Sequence, residues 1–167
     1  MSIHPTALID ETVRIYGRKD LLHVGEHTRL DAYCVITVGE KGIWIGKKVH
    51  ISAGVYLFGS GGRILIKDRC TLSPRAMIFT STDQFQYRGQ VGPLSDPGER
   101  VPLVNAPVIL CEGSGVGAGG ILWPGTTLLQ GALVGSQSEV ESGETVREYG
   151  LIVGRSRLIG VRQHDRS

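Results

Sequence analysis

The chain has 167 residues, 18 Lys and Arg against 16 Asp and Glu, a formal net charge of +2 and 24 glycines. That length suits one domain with a continuous core, and the glycines come without the Gly-X-Y period of collagen. The mild charge, with no basic run and no basic–aromatic interleaving, speaks against nucleic acid, and no apolar run approaches a membrane span.

A six-residue repeat is legible from the first residues. Ile3-His-Pro-Thr-Ala-Leu8 and Ile9-Asp-Glu-Thr-Val-Arg14 each open on isoleucine, and a looser unit follows from Ile15. The opening lacks the basic lead and apolar core of a signal peptide. Units from Val24 and Leu30 restore the period, and the unit from Ile36 carries three extra residues before those from Ile45 and Ile51. The unit from Leu57 again carries three, around Gly59-Ser-Gly-Gly-Arg63, before Ile66 and Leu72. Val24, Ile45 and Ile66 therefore stand one coil apart, with an insertion in phase with the repeat.

Ile78-Phe-Thr-Ser-Thr-Asp83 closes that coil, and the pattern stops. Residues Gln84 to Ala106 lack the repeat and contain Gly89, Gly92, Pro93, Pro97, Gly98 and Pro102, the mark of a functional or disordered loop. The repeat resumes at Pro107 and is clearest from Leu110 to Thr145, where blocks open on Leu110, Val116, Leu122, Leu128, Val134 and Val140. Their fifth residues are Ser114, Gly120, Thr126, Ala132 and Ser138 before Glu144 breaks the rule. Val146 to Ser167 is less regular and reads as a cap over the last coil.

Neither a 3.6-residue helical period nor strict strand alternation yields one aliphatic in six with a small residue at fixed offset. A short strand plus a tight corner does. Three units close a triangular coil, and coils stack through parallel pairing about 4.8 Å apart. The expectation is a single all-β domain over 1–167, with coils at about 3–83 and 107–145, a loop at 84–106 and a cap at 146–167. Cys34 and Cys70 fall on the fifth, small position and Cys111 on the second. They read as packing residues in a reduced cytosol, since an odd count without metal spacing implies neither disulfides nor zinc.

The repeats, the longer coils and Val116-Gly-Ala-Gly-Gly-Ile-Leu-Trp-Pro-Gly-Thr-Thr-Leu128 resemble the hexapeptide-repeat acyltransferases of left-handed parallel β-helix fold. Ile78–Asp83 followed by a loop ending at Pro107 is similar to the sugar acetyltransferases of polysaccharide and O-antigen synthesis. The resemblance covers about residues 3–160. It implies a cytoplasmic homotrimer with acetyl-CoA in grooves between subunits, no required metal, and a saccharide or nucleotide-sugar acceptor. It also implies a catalytic histidine before the long loop, which aligns here with Ser81 or with Asp83.

That substitution bears on the chemistry. An ordinary carboxyl group is a weaker base than imidazole by about 2.6 pH units, about 3.5 kcal/mol of proton-accepting drive. A neutral sugar amine already carries a nucleophilic lone pair, so loss of histidine points to an amine acceptor, to a base elsewhere, or to a chain that no longer catalyses. Asp83 and Ser81 are the candidate catalytic residues. Gly117, Ala118 and Gly135 are candidate coenzyme A contacts through open backbone groups, with Arg155 and Arg157 as phosphate partners. Phe85, Tyr87 and Arg88 are placed on the sugar by their position in the loop. His27 and His50 read as solvated surface. Two functions follow: an acyl-CoA-dependent transferase on a sugar amine or hydroxyl, or a trimeric scaffold that has lost catalysis.

Overall fold

The computed structural model describes residues 1–84, 102–155 and 158–161, the last four by backbone alone. Short strands fall into three parallel sheets, the faces of a left-handed β-helix. The first face begins with Ser2–Ile3 and Leu22–Val24, the second with Leu8–Ile9 and Arg29–Leu30, the third with Arg14–Gly17 and Val35–Val38. Successive coils stack in strict register: Ile3 on Val24, Val24 on Ile45, Ile45 on Ile66, Ile66 on Leu110, Leu110 on Leu128.

The repeat's aliphatics build the core. Leu110, Val116, Leu122, Leu128, Val134 and Val140 all point inward and are buried, each burial favouring the fold by about 1.5–3 kcal/mol. The small fifth residues are buried beside them, and several knit coils together as well as saving space. Thr28 Oγ1 donates to the Gly46 carbonyl at 2.7 Å and accepts from the Val49 N–H at 3.1 Å. Cys34 and Cys70 occupy this position as free, buried thiols, whose ionisation burial pushes upward.

Coil length changes once along the chain. Early coils lengthen the corner between the third and first faces. The looser unit from Ile15 is the first of them: Arg14–Gly17 runs on to a 3-10 turn at Lys19–Leu21 before the first face resumes at Leu22. Residues 39–42 and 60–63 repeat that corner one and two coils on. The long excursion leaves from the same corner. Ser81–Asp83 pairs antiparallel with Leu103–Asn105 as a hairpin stem, Ser81 opposite Asn105 and Asp83 opposite Leu103. The first face then continues at Val108–Leu110.

Beyond it the coils are compact. Gly150–Ile152 stacks parallel on the second-face strand Leu133–Val134, and Leu158–Val161 folds back antiparallel against it. That last strand pairs with the otherwise open sheet edge.

Candidate active site

The hairpin stem is held by one buried side chain. Thr80, fully buried, donates its hydroxyl to the Phe58 carbonyl at 2.9 Å and accepts the Gly61 N–H at 3.1 Å. Its own carbonyl accepts the Ala106 N–H at 3.1 Å, and Gln84 N–H reaches the Pro102 carbonyl at 2.9 Å. The coil below, the lengthened corner and both ends of the excursion therefore meet at Thr80. Ser81, Thr82 and Asp83 are half-buried at this junction. Gly61 leaves room for them: a Cβ there would stand 2.2 Å from Asn105 Oδ1 and 2.8 Å from Ser81 Cβ. Sequence reasoning named Ser81 and Asp83 as candidates and passed over Thr80, whose third position in its unit carries no repeat signal.

Two hollows flank the stem. On the third face, toward the later coils, Thr82, Trp123, Glu139, Glu141, Ser142 and Arg155 line about 340 Å³. Trp123 ends a ladder of outward rings, Tyr56, Phe58, Phe79 and Trp123, with centroids 5.7, 5.0 and 5.2 Å apart. Its Nε1–H donates to Glu139 Oε2 at 2.8 Å, fixing the ring plane. On the other side, Gly61, Gly62, Arg63, Asn105, Ala106 and Pro107 belong to a hollow of about 470 Å³ on the first face.

The expected coenzyme A contacts lie at the far edge of the third face, at its corner with the second. Gly117 stacks beneath Gly135, and a Cβ on Gly117 would come 2.5 Å from Ser136 N, so packing alone demands glycine. The N–H groups of Gly117 and Gly135 are committed to the Val134 and Ile152 carbonyls at 2.7 and 2.9 Å. The Ala118 carbonyl accepts from Gln137 at 2.8 Å, while its N–H has no partner among the described residues. Of the backbone donors expected at this corner, Ala118 N–H is the open one.

Arg155 stands at the start of the third face. It pairs with Glu139 at 3.3 Å and Glu141 at 2.5 Å rather than projecting alone, though such exposed pairs are worth only about 0.2–1 kcal/mol. Thr82 and Arg155 thus share one hollow, while Gly117, Ala118 and Gly135 sit across the face from the stem. Phe85, Tyr87, Arg88 and Arg157 lie outside the described residues.

His27 is exposed in a turn, 3.4 Å from Glu26. His50 projects from the second face, its Nε2 2.8 Å from Asp31 Oδ2. Burial pushes the Asp31 carboxyl up, but hydrogen bonds from His50 and Arg29 outweigh it and hold the group below the usual Asp range. Among the described residues no group of three His, Cys, Asp or Glu is placed to hold a metal ion, and no helix is long and apolar enough to cross a membrane.

The geometry is that of a left-handed β-helix with an excursion at one corner, and known proteins of that class match it. No protein-family model matches the chain. A dTDP-4-amino-4,6-dideoxy-D-glucose acyltransferase of Escherichia coli is 28% identical over 140 residues, 84% of this chain and 71% of that one. An aspartate-to-asparagine variant of AntD, an N-acyltransferase from Bacillus cereus solved with dTDP and coenzyme A, superposes with a TM-score of 0.85 at 26% identity. That match covers 97% of this chain and 84% of the other. A hexapeptide transferase family protein from Anaplasma phagocytophilum, at 16% identity and a TM-score of 0.75, shares the fold over 98% of this chain and 80% of its own.

Proposed function

We propose that this chain is an acyl-CoA-dependent N-acyltransferase whose acceptor is the amine of a nucleotide-linked sugar. Its homologues are acyltransferases in both sequence and structure. The observation that carries the reading is the superposition of nearly the whole chain on an N-acyltransferase holding dTDP and coenzyme A. The same enzyme has also been solved with dTDP and 3-hydroxybutyryl-CoA, so acyl groups larger than acetyl belong to this chemistry.

An amine acceptor accounts for the missing imidazole. The lone pair of the uncharged amine attacks the thioester carbonyl. A C–N bond forms, the C–S bond breaks, and coenzyme A leaves as a thiolate that takes up the proton nitrogen sheds. No base is needed before attack, and the protein's task is to orient the reactants. In this reading Asp83 holds the amine and relays its proton, and Ser81 hydrogen-bonds beside it. Ala118 N–H, with Gly117 beside it and Gly135 on the next coil, borders the pantetheine path. Arg155 and Arg157 meet coenzyme A phosphates, and Phe85, Tyr87 and Arg88 contact the sugar.

We further read the active unit as a cytoplasmic homotrimer. Support comes from large apolar side chains left exposed on one chain, Leu8, Tyr33, Tyr56 and Leu103 among them. The donor corner and the stem also lie on opposite edges of the third face, which suits a groove completed by a neighbouring copy. A scaffold that has lost catalysis is not favoured, because it accounts for none of the likeness to coenzyme A-bound enzymes.

The test is thermal unfolding with acetyl-CoA, then turnover on amino and hydroxyl sugar nucleotides. Saturating ligand at about a hundred times its Kd stabilises the fold by about 2.7 kcal/mol. Turnover is expected on the amine only, with Asp83→Asn lowering kcat at least about tenfold. No stabilisation at millimolar acetyl-CoA in a folded trimer overturns the reading.

A further inference from the structure

The first face carries a feature that acyl transfer alone does not use. Its outward column runs His23, Trp44, Leu65 and Ile109 in register over four coils. Trp44 is 51% exposed and lies against His23, ring centroids 4.8 Å apart. Beside this column, at the lengthened corner, stand Lys41 and Arg63. Arg63 Nε donates to the Lys41 carbonyl at 3.3 Å, holding the two cations on adjacent coils. Among the described residues no carboxylate pairs with either; the one acid in the groove, Glu40, is taken by Arg18 at 2.5 Å.

The groove is continuous with the stem. A hollow of about 430 Å³ around Trp44, Lys41 and Arg63 shares Lys41, Arg63 and Leu65 with the 470 Å³ hollow that reaches Gly61 and Asn105. Gly61 in turn underlies Ser81. Trp44 lies two coils below Ile109, so about 10 Å along the helix separates the indole from the coil to which the stem returns. The groove thus offers an aromatic plate, then two cations, then the candidate catalytic strand.

We infer that this groove is the binding site for the nucleoside diphosphate of the acceptor, with Lys41 and Arg63 on the diphosphate and Trp44 beneath the base. The inference rests on the proposed transferase function and says where the acceptor's nucleotide sits. Two unpaired cations complement a dianionic linkage through charge-assisted bonds. A half-exposed indole suits a planar base, and the order along the groove sets a sugar attached to the diphosphate toward Ser81 and Asp83. Coenzyme A carries a nucleoside diphosphate too, but its candidate corner at Gly117 and Gly135 lies across the third face, so the acceptor is the occupant assigned.

The experiment measures dTDP and coenzyme A binding to the full chain by calorimetry, with oligomeric state followed by light scattering. The variants are Lys41→Gln, Arg63→Gln and Trp44→Ala, with Arg69→Gln at the corner between the first and second faces as control. Expected are a fall in dTDP affinity of at least about tenfold for each groove variant, coenzyme A affinity within about twofold of wild type, and no effect in the control. Unchanged dTDP affinity in folded groove variants, or no dTDP binding to the wild type, overturns the inference. A loss confined to coenzyme A assigns the groove to the donor and also overturns it, as does a changed oligomeric state for Trp44→Ala with dTDP affinity intact. Failure of the wild type to bind coenzyme A or transfer an acyl group counts against the transferase function instead, and the dTDP arm still decides the groove.

Discussion

Thr80 shows how much one side chain fixes around the stem. Its hydroxyl spends its proton on the Phe58 carbonyl and a lone pair on Gly61 N–H, while its backbone ties the excursion's return at Ala106. Thr80→Val keeps shape and volume but deletes both hydroxyl bonds and leaves a corner N–H unsatisfied. The cost is about 1–3 kcal/mol, read as a lower urea midpoint at unchanged m-value. Because the same bonds position Ser81, kcat is expected to fall with little change in KM, and Thr80→Ser, which keeps the hydroxyl, is expected to recover most of both. An unfolding free energy within about 0.3 kcal/mol of wild type would mean that the coil stack alone holds the stem. In the sequence Thr80 was one more polar residue of Phe79-Thr-Ser-Thr-Asp83. Only the stacked coils show which of those hydroxyls faces inward.

At the scale of the element, most six-residue units turn their corner through one residue in the left-handed region, three places along from the aliphatic that opens the unit. In the later coils it is Gly113, Gly119, Gly125, Gly131 and Gly143, with Gln137 and Tyr149 the exceptions; in the earlier coils His27, Tyr33, Lys48, Arg69 and Arg75 adopt the same backbone beside Gly54. The aliphatic and the small fifth residue were legible as a repeat, because each is a composition signal at fixed spacing. The fourth residue was harder to see, because half of the corners accept the strain of a side chain and so hide the glycine pattern. Gly113 isolates that strain: its φ is +67°, and a Cβ would meet nothing within 4 Å. Gly113→Ala is therefore expected to cost about 1–2 kcal/mol from backbone conformation alone. Urea unfolding measures it, and a neutral result would mean that the corner itself shifts to accommodate alanine.

Across the whole molecule, stability should follow position in the stack, since each coil is buried only by its neighbours. Ile66 is fully buried with coils on both sides, paired to Ile45 below and Leu110 above. Ile9 repeats the same chemistry in the first coil, pairs only with Leu30, and is partly buried. The repeat announced both as core isoleucines, and nothing in their local sequence separates them; their difference comes from the number of coils beyond each. The same limit governed the site. Ser81 and Asp83 were candidates from their place before a loop, whereas Lys41, Arg63 and Trp44, distant in sequence from that loop, join the groove only when coils stack. Ile66→Ala should cost about 2–5 kcal/mol, the range for truncating a fully packed aliphatic. Ile9→Ala should cost less than half as much, because its cavity opens to solvent and its loss is shared with one neighbour. Hydrogen exchange separates two ways of unfolding: if the first coil frays independently, its amides exchange well before those of Ile45 and Ile66, and Ile9→Ala leaves the central amides unchanged. Equal costs and uniform exchange would mean that the solenoid unfolds as one cooperative block, with the first coil contributing as much to that block as the middle.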